Sequence, residues 1–215
     1  MSRVRAGDYD AKYQSILDNA AALFADVGYP SAKMQDIAKA CGATKSMLYH
    51  YFPAKDDLLL ALLSEHLERL IAEVNRAIES PGTPTQRLSL FVEAFVQKSA
   101  QSRQRHVSAM NDVKFLPTRM QKPLWRLQVR VIERVAALLR EINPGLSEDS
   151  YKPYTMLLLG MLNWTDLWYK PGGRMKPQEL CARISRLFLR GFLAEKGETN
   201  GRHQRLTSRA QSVSS

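Results

Sequence analysis

Glycine and proline fall at a few places in this chain and leave stretches of helical length between them. The punctuation is Gly28 to Pro30, Gly42, Pro53, Pro81 to Pro84, Pro117, Pro144 with Gly145, and Pro171 to Gly173. Glycine ends helices because its backbone is free, and proline because it lacks the amide hydrogen. No segment shows the alternation of apolar and polar residues, flanked by hairpin turns, that a strand needs. The expectation is an all-α fold of nine helices, at 9–27, 32–40, 44–51, 54–79, 84–102, 104–115, 117–142, 147–169 and 176–195. In the first of them Ile16, Ala20, Leu23, Phe24 and Val27 follow a helical period and read as a core stripe. Residues 196–215 hold too few apolar side chains to order themselves, so a flexible tail is expected there.

A chain of 215 residues can bury a core without metal or disulfide support. Its longest apolar run, Met156 to Leu162, is far short of the ~20 residues that cross a bilayer. The first residues lack the apolar core of a secretory signal. Cys41 and Cys181 make neither a disulfide framework nor a zinc site. No membrane partner, no metal and a cytoplasmic location are expected. The net charge of +10 points to a polyanionic partner.

Residues 34–52, MQDIAKACGATKSMLYHYF, carry the strongest signal. They read as two short helices around Gly42, with Ile37, Ala38, Cys41, Leu48 and Tyr51 facing inward. Thr44 is placed to cap the second helix. Thr44, Lys45, Ser46, Tyr49 and His50 are left facing out, a set of hydrogen-bonding groups suited to phosphates and base edges. Lys33 and Lys55 flank the pair and are candidate phosphate clamps. A helix of this size fits the major groove of double-stranded DNA.

Residues 13–63, and above all GATKSMLYHYFPAKDDLL, resemble the DNA-binding domain of the tetracycline-repressor (TetR) family. The resemblance implies a dimeric, all-helical regulator. A helix-turn-helix domain at 9–53 would precede a ligand-binding and dimerisation domain at 54–195. It also implies that Thr44, Lys45, Ser46, Tyr49, His50 and Lys55 contact DNA. Ala54 departs from the family's frequent Ser or Asn cap, and Asp56 and Asp57 in the first turn offset the loss through the helix dipole. NDVKFLP at 111–117 and GMLNWTDLWYKPGGRMKPQEL at 160–180 resemble a subgroup that answers to acyl-coenzyme A thioesters. That subgroup controls fatty, aromatic or sterol acid metabolism. The implied effector is a small molecule, an acyl-coenzyme A, and no cofactor is implied.

The charge distribution bears on the ligand independently. Ten basic and two acidic residues lie between Lys98 and Arg140, whereas residues 1–55 hold seven and five. Arg126, Arg130 and Arg134 repeat along one helix face. That face is a solvated surface, a general attraction for DNA, or a cradle for coenzyme A phosphates. Met110, Phe115, Trp125, Met161, Trp164 and Trp168 are candidate walls of the ligand site together with Arg126 and Arg130. His106 is a further candidate, and Asn163 would need a partner if buried. Tyr154, Leu158, Ile184, Leu187 and Phe188 on the last two helices are expected at a homodimer interface.

None of the four histidines sits in a metalloprotease motif, and no nucleophile elbow or phosphate loop is present, so the chain is not expected to be an enzyme. Two rivals remain. One is a repressor induced by a hydrophobic drug-like compound. The other is a ligand-independent architectural DNA binder with strong salt dependence.

Overall fold

A computed structural model describes residues 2–170 and 172–196. Apart from Lys196, the expected tail at 196–215 lies outside the described residues. Nine α-helices and one short 3-10 turn appear among the described residues, with no strand. They are α1 (Ser2–Val27), α2 (Met34–Ala40), α3 (Lys45–Tyr51), α4 (Lys55–Ile78), α5 (Pro84–Gln101), α6 (Arg103–Asn111), α7 (Thr118–Ile142), α8 (Glu148–Trp168) and α9 (Pro177–Ala194). The helix expected at 104–115 stops at Asn111, and Val113–Phe115 forms the 3-10 turn before Pro117. The first helix begins earlier than expected, at Ser2.

The buried side chains form two clusters. One gathers α1, α2, α3 and the first half of α4, with Ala109, Leu116 and Leu124 from later elements. The other joins the second half of α4 to α5, α7, α8 and α9. Helix α4 belongs to both because its apolar residues never lose the helical period. Leu58, Leu59, Leu62, Leu63 and Leu67 serve the first cluster, and Leu70, Ile71, Val74 and Ile78 serve the second. It is therefore a continuous rod between the two parts.

The joint between α2 and α3 follows from its residues. Gly42 takes φ +58, where a side chain is strained. The amide of Ala43 donates to the carbonyl of Ala38 at 2.9 Å, and that of Gly42 to Lys39 at 3.1 Å. This pair of bonds closes the C-terminus of α2 as a Schellman motif. Four expected core residues of this region, Leu23, Val27, Cys41 and Tyr51, are not fully buried. Val27 points to solvent at the end of α1, and Tyr51 lies at the edge, where it stacks on Tyr9 at 4.7 Å. No helix among the described residues is long and apolar enough to cross a membrane.

Candidate nucleic-acid interface and ligand cavity

Helix α3 shows how a short sequence positions a polar face. The Thr44 hydroxyl accepts from the Met47 amide at 3.1 Å and so caps the helix. Leu48 is fully buried and anchors the helix to the core. Thr44, Lys45, Ser46, Tyr49 and His50 are all exposed on the outer side. The Lys45 ammonium sits 5.8 Å from the Tyr49 ring centre. Lys33, exposed at the start of α2, lines a groove together with Lys45 and Tyr49.

Lys55 departs from the expected phosphate clamp. Its ammonium donates to the carbonyls of Tyr29 at 2.9 Å, Ala32 at 3.0 Å and Pro30 at 3.3 Å, and lies 4.4 Å from the Tyr29 ring centre. All three donors are used within the chain, so the residue staples the loop before α2 onto α4. The Tyr29 hydroxyl donates to the neighbouring Asp56, and burial together with that bond raises its pKa. The missing cap at Ala54 is met by Asp57, whose carboxylate accepts from the Ala54 amide at 3.0 Å.

A cavity of about 230 Å³ lies between α4, α5, α6, α7 and α8. Leu67, Leu70, Phe95, Val131, Ile132 and Leu159 give it apolar walls, and Met110 and Met156, half exposed, stand at its rim. Its polar groups are His106, Gln128 and Asn163. A 3.0 Å hydrogen bond joins the Nδ1 of His106 and the Nε2 of His66. Burial and the neighbouring His106 push the pKa of His66 down to about 3, so His66 is neutral at ordinary pH.

Ala109, Met110 and Gln128 also line an outer groove that continues past Lys114, Gln121 and Trp125. Trp125 then borders a second surface groove with Lys122, Arg126, Val129 and Arg130. Among the expected ligand residues, the structure thus brings Met110, Trp125, Arg126 and Arg130 along one track. Arg134 does not join them, because it turns toward α4 and pairs with Glu79 and Asn75. Arg105, counted among the basic excess, is buried against Asp18 and Glu65.

The remaining candidates fall elsewhere. Phe115 stacks on Tyr29 at 5.7 Å, outside the cavity. Met161 packs into the main core. Trp164 and Trp168 lie on the outer face of α8, 66% and 51% exposed, because Leu158, Leu162 and Thr165 take the inward phase of that helix. Most residues expected at a dimer interface also lie inside the chain. Leu158, Ile184 and Phe188 are buried in the chain's own core, and Tyr154 packs edge-on against Phe192. Only Leu187, at 69%, is exposed. The exposed apolar side chains of these two helices include Leu157, Trp164, Leu167 and Trp168 on α8 and Leu187 on α9.

Sequence reasoning passed over Gln128 and the His66–His106 contact. A lone glutamine on an arginine-rich helix carries no local signal, and the two histidines are 40 residues apart.

Comparison with known proteins agrees with both halves of this description. Residues 16–62 match the family of bacterial regulatory proteins, tetR family, and residues 81–192 match the tetracyclin repressor-like C-terminal domain. A TetR-family transcriptional regulator from Bordetella parapertussis 12822 is 34% identical, with a TM-score of 0.79 over 85% of this chain and 96% of that one. The transcriptional repressor KstR2 of Mycobacterium tuberculosis is 24% identical over 91% of this chain and 99% of its own length. AibR, solved in complex with isovaleryl coenzyme A and operator DNA, shares the fold, with a TM-score of 0.73 at 22% identity over 82% of this chain and 97% of that one. The chain belongs to the TetR family of DNA-binding transcriptional regulators.

Proposed function

We propose that this regulator is a homodimeric repressor released from a near-palindromic operator by an acyl-coenzyme A ester. The observation that carries the ligand class is the track from an apolar cavity to a basic groove. Coenzyme A esters join an apolar acyl group to a polyanionic nucleotide. The cavity suits the acyl group, Met110 and Gln128 the passage, and Lys122, Arg126 and Arg130 the phosphates, with Trp125 beside them for the base. The relative AibR, crystallised with isovaleryl coenzyme A and operator DNA, supports this class. The repressor role is supported by KstR2.

The DNA reader is the 9–53 region. Lys45, Ser46, Tyr49 and His50 face the major groove, and Thr44 and Lys33 face phosphates. The body at 54–195 provides the ligand site and the dimer contact. Two copies joined through the exposed faces of α8 and α9 bury Leu157, Trp164, Leu167, Trp168 and Leu187. Their two readers then address half-sites on one side of the duplex. The ligand acts by binding one spacing of the readers better than the other.

Selection of duplexes bound from a random pool tests both halves. An inverted repeat is expected, and an acyl-coenzyme A should release it where coenzyme A alone and the free acid do not. Release by uncharged hydrophobes but by no thioester would replace this ligand class. Binding without sequence preference would overturn the operator reading.

A further inference from the structure

The cavity's wall restricts what enters it more than its apolar character alone implies. None of its lining residues is Asp, Glu, Lys or Arg. The basic residues Lys122, Arg126 and Arg130 stand outside, along the surface groove. Gln128 from α7 and Asn163 from α8 both line the cavity and are half-buried. Neither side-chain amide has a hydrogen bond among the described residues. A carboxylate entering here would lose hydration and meet no lysine or arginine, which is costly. An uncharged oxygen loses far less and meets two amides that have no other partner among the described residues. His66, behind His106, is neutral at ordinary pH.

We propose that the cavity takes an uncharged acyl group, that Gln128 and Asn163 hydrogen-bond an oxygen of that group, and that chains ending in a carboxylate are rejected. This rests on the acyl-thioester reading above and narrows it. The volume of about 230 Å³ holds roughly eight water-sized groups at ~30 Å³ each, a short to medium chain. The oxygen is either the thioester carbonyl or a hydroxyl on the chain, and the chemistry that binds it is the same.

Calorimetry at pH 8, where an unperturbed imidazole is neutral, separates these cases with hexanoyl-, 3-hydroxyhexanoyl- and adipoyl-coenzyme A. Adipoyl-coenzyme A is expected to bind at least roughly tenfold more weakly than the hexanoyl ester. Equal binding of the two would leave the thioester reading standing and overturn the charge selection. Binding by none of the three would overturn both. Gln128→Leu and Asn163→Leu are each expected to lose roughly tenfold in affinity. Loss for both the hexanoyl and the hydroxyhexanoyl ester assigns the oxygen to the thioester carbonyl. Loss for the hydroxyhexanoyl ester alone assigns it to the chain hydroxyl. Unchanged affinities for both esters would overturn the role of the amides. Gln128→Lys is expected to raise the affinity for adipoyl-coenzyme A, and no rise would overturn the placement of Gln128 against the acyl chain. Should a leucine variant fail to fold, the ranking of the three esters by the unmodified protein still decides the charge selection.

Discussion

Arg105 donates to one carboxylate oxygen of Asp18 through both Nε and Nη2, at 3.0 and 2.7 Å. The bond ties α6, which borders the cavity, to α1 of the DNA-reading part. Arg105 also donates to Glu65 on α4 at 3.3 Å and is itself almost wholly buried. Its neighbour His106 lines the cavity. Under the proposed ligand release, a shift of α6 would reach α1 and α4 through one guanidinium.

Asp18→Ala removes two charge-assisted bonds from a buried arginine and should cost about 2 kcal/mol of stability. Operator affinity without ligand should change little. The factor by which the ligand weakens that affinity should fall, because α6 then moves without carrying α1. Denaturant unfolding and fluorescence anisotropy read the two effects separately. An unchanged release factor would mean that the signal reaches the reader without the Arg105–Asp18 bond.

Lys33 and Lys55 should behave oppositely, although both flank the helix pair. Lys55→Ala breaks three bonds to loop carbonyls and should lower the thermal midpoint, with a loss of about 1–3 kcal/mol. Lys33→Ala should leave stability unchanged, weaken DNA binding on all sequences and reduce the salt slope by about one. Unfolding curves beside a salt titration distinguish them. A fully stable Lys55→Ala protein would return that residue to the set of phosphate contacts.

The reader was legible because its signals are local. Gly42 at a positive φ, the Thr44 cap and the buried Leu48 all act within one stretch of chain. The structural bonds of Lys55 leave no local signal, because its partners, the carbonyls of Tyr29, Pro30 and Ala32, come together with it only in the folded loop. The cavity was legible only in part. Basic periodicity on α7 found Arg126 and Arg130, but the same period included Arg134, which Glu79 and Asn75 of α4 draw away. Trp164 and Trp168 read only as candidates for a pocket wall, because composition cannot tell an inward helix phase from an outward one when both are apolar. The outward phase of α8 is recognisable only once Leu158, Leu162 and Thr165 are seen inside.

Acid should destabilise the protein through His66. Its folded-state pKa, about 3, lies below the ordinary 6.5 because burial and His106 disfavour its charged form, with smaller contributions from Arg105, Lys98 and Arg69. Between these values the unfolded chain binds the proton and the folded chain does not. Stability is therefore undiminished above about pH 6.5 and falls progressively toward about pH 3. The full loss is on the order of a few kcal/mol. His66→Gln should flatten the thermal midpoint over that window, and an equally steep acid decline in the variant would assign it to other groups.

Neighbouring residues on α9 should separate folding from assembly. Phe188 is buried and stacks on Phe192 at 5.5 Å, so Phe188→Ala should cost about 3–5 kcal/mol and loosen the whole second cluster. Leu187 points outward from the same helix turn, and Leu187→Glu leaves the chain's own core untouched. A charge placed there meets water in the monomer but is buried beside Trp164 and Leu167 if two copies join through this face. Sedimentation should then show a folded monomer, and operator affinity should fall because two half-sites are no longer read together. A Leu187→Glu protein that remains a dimer would move the interface away from the exposed faces of α8 and α9.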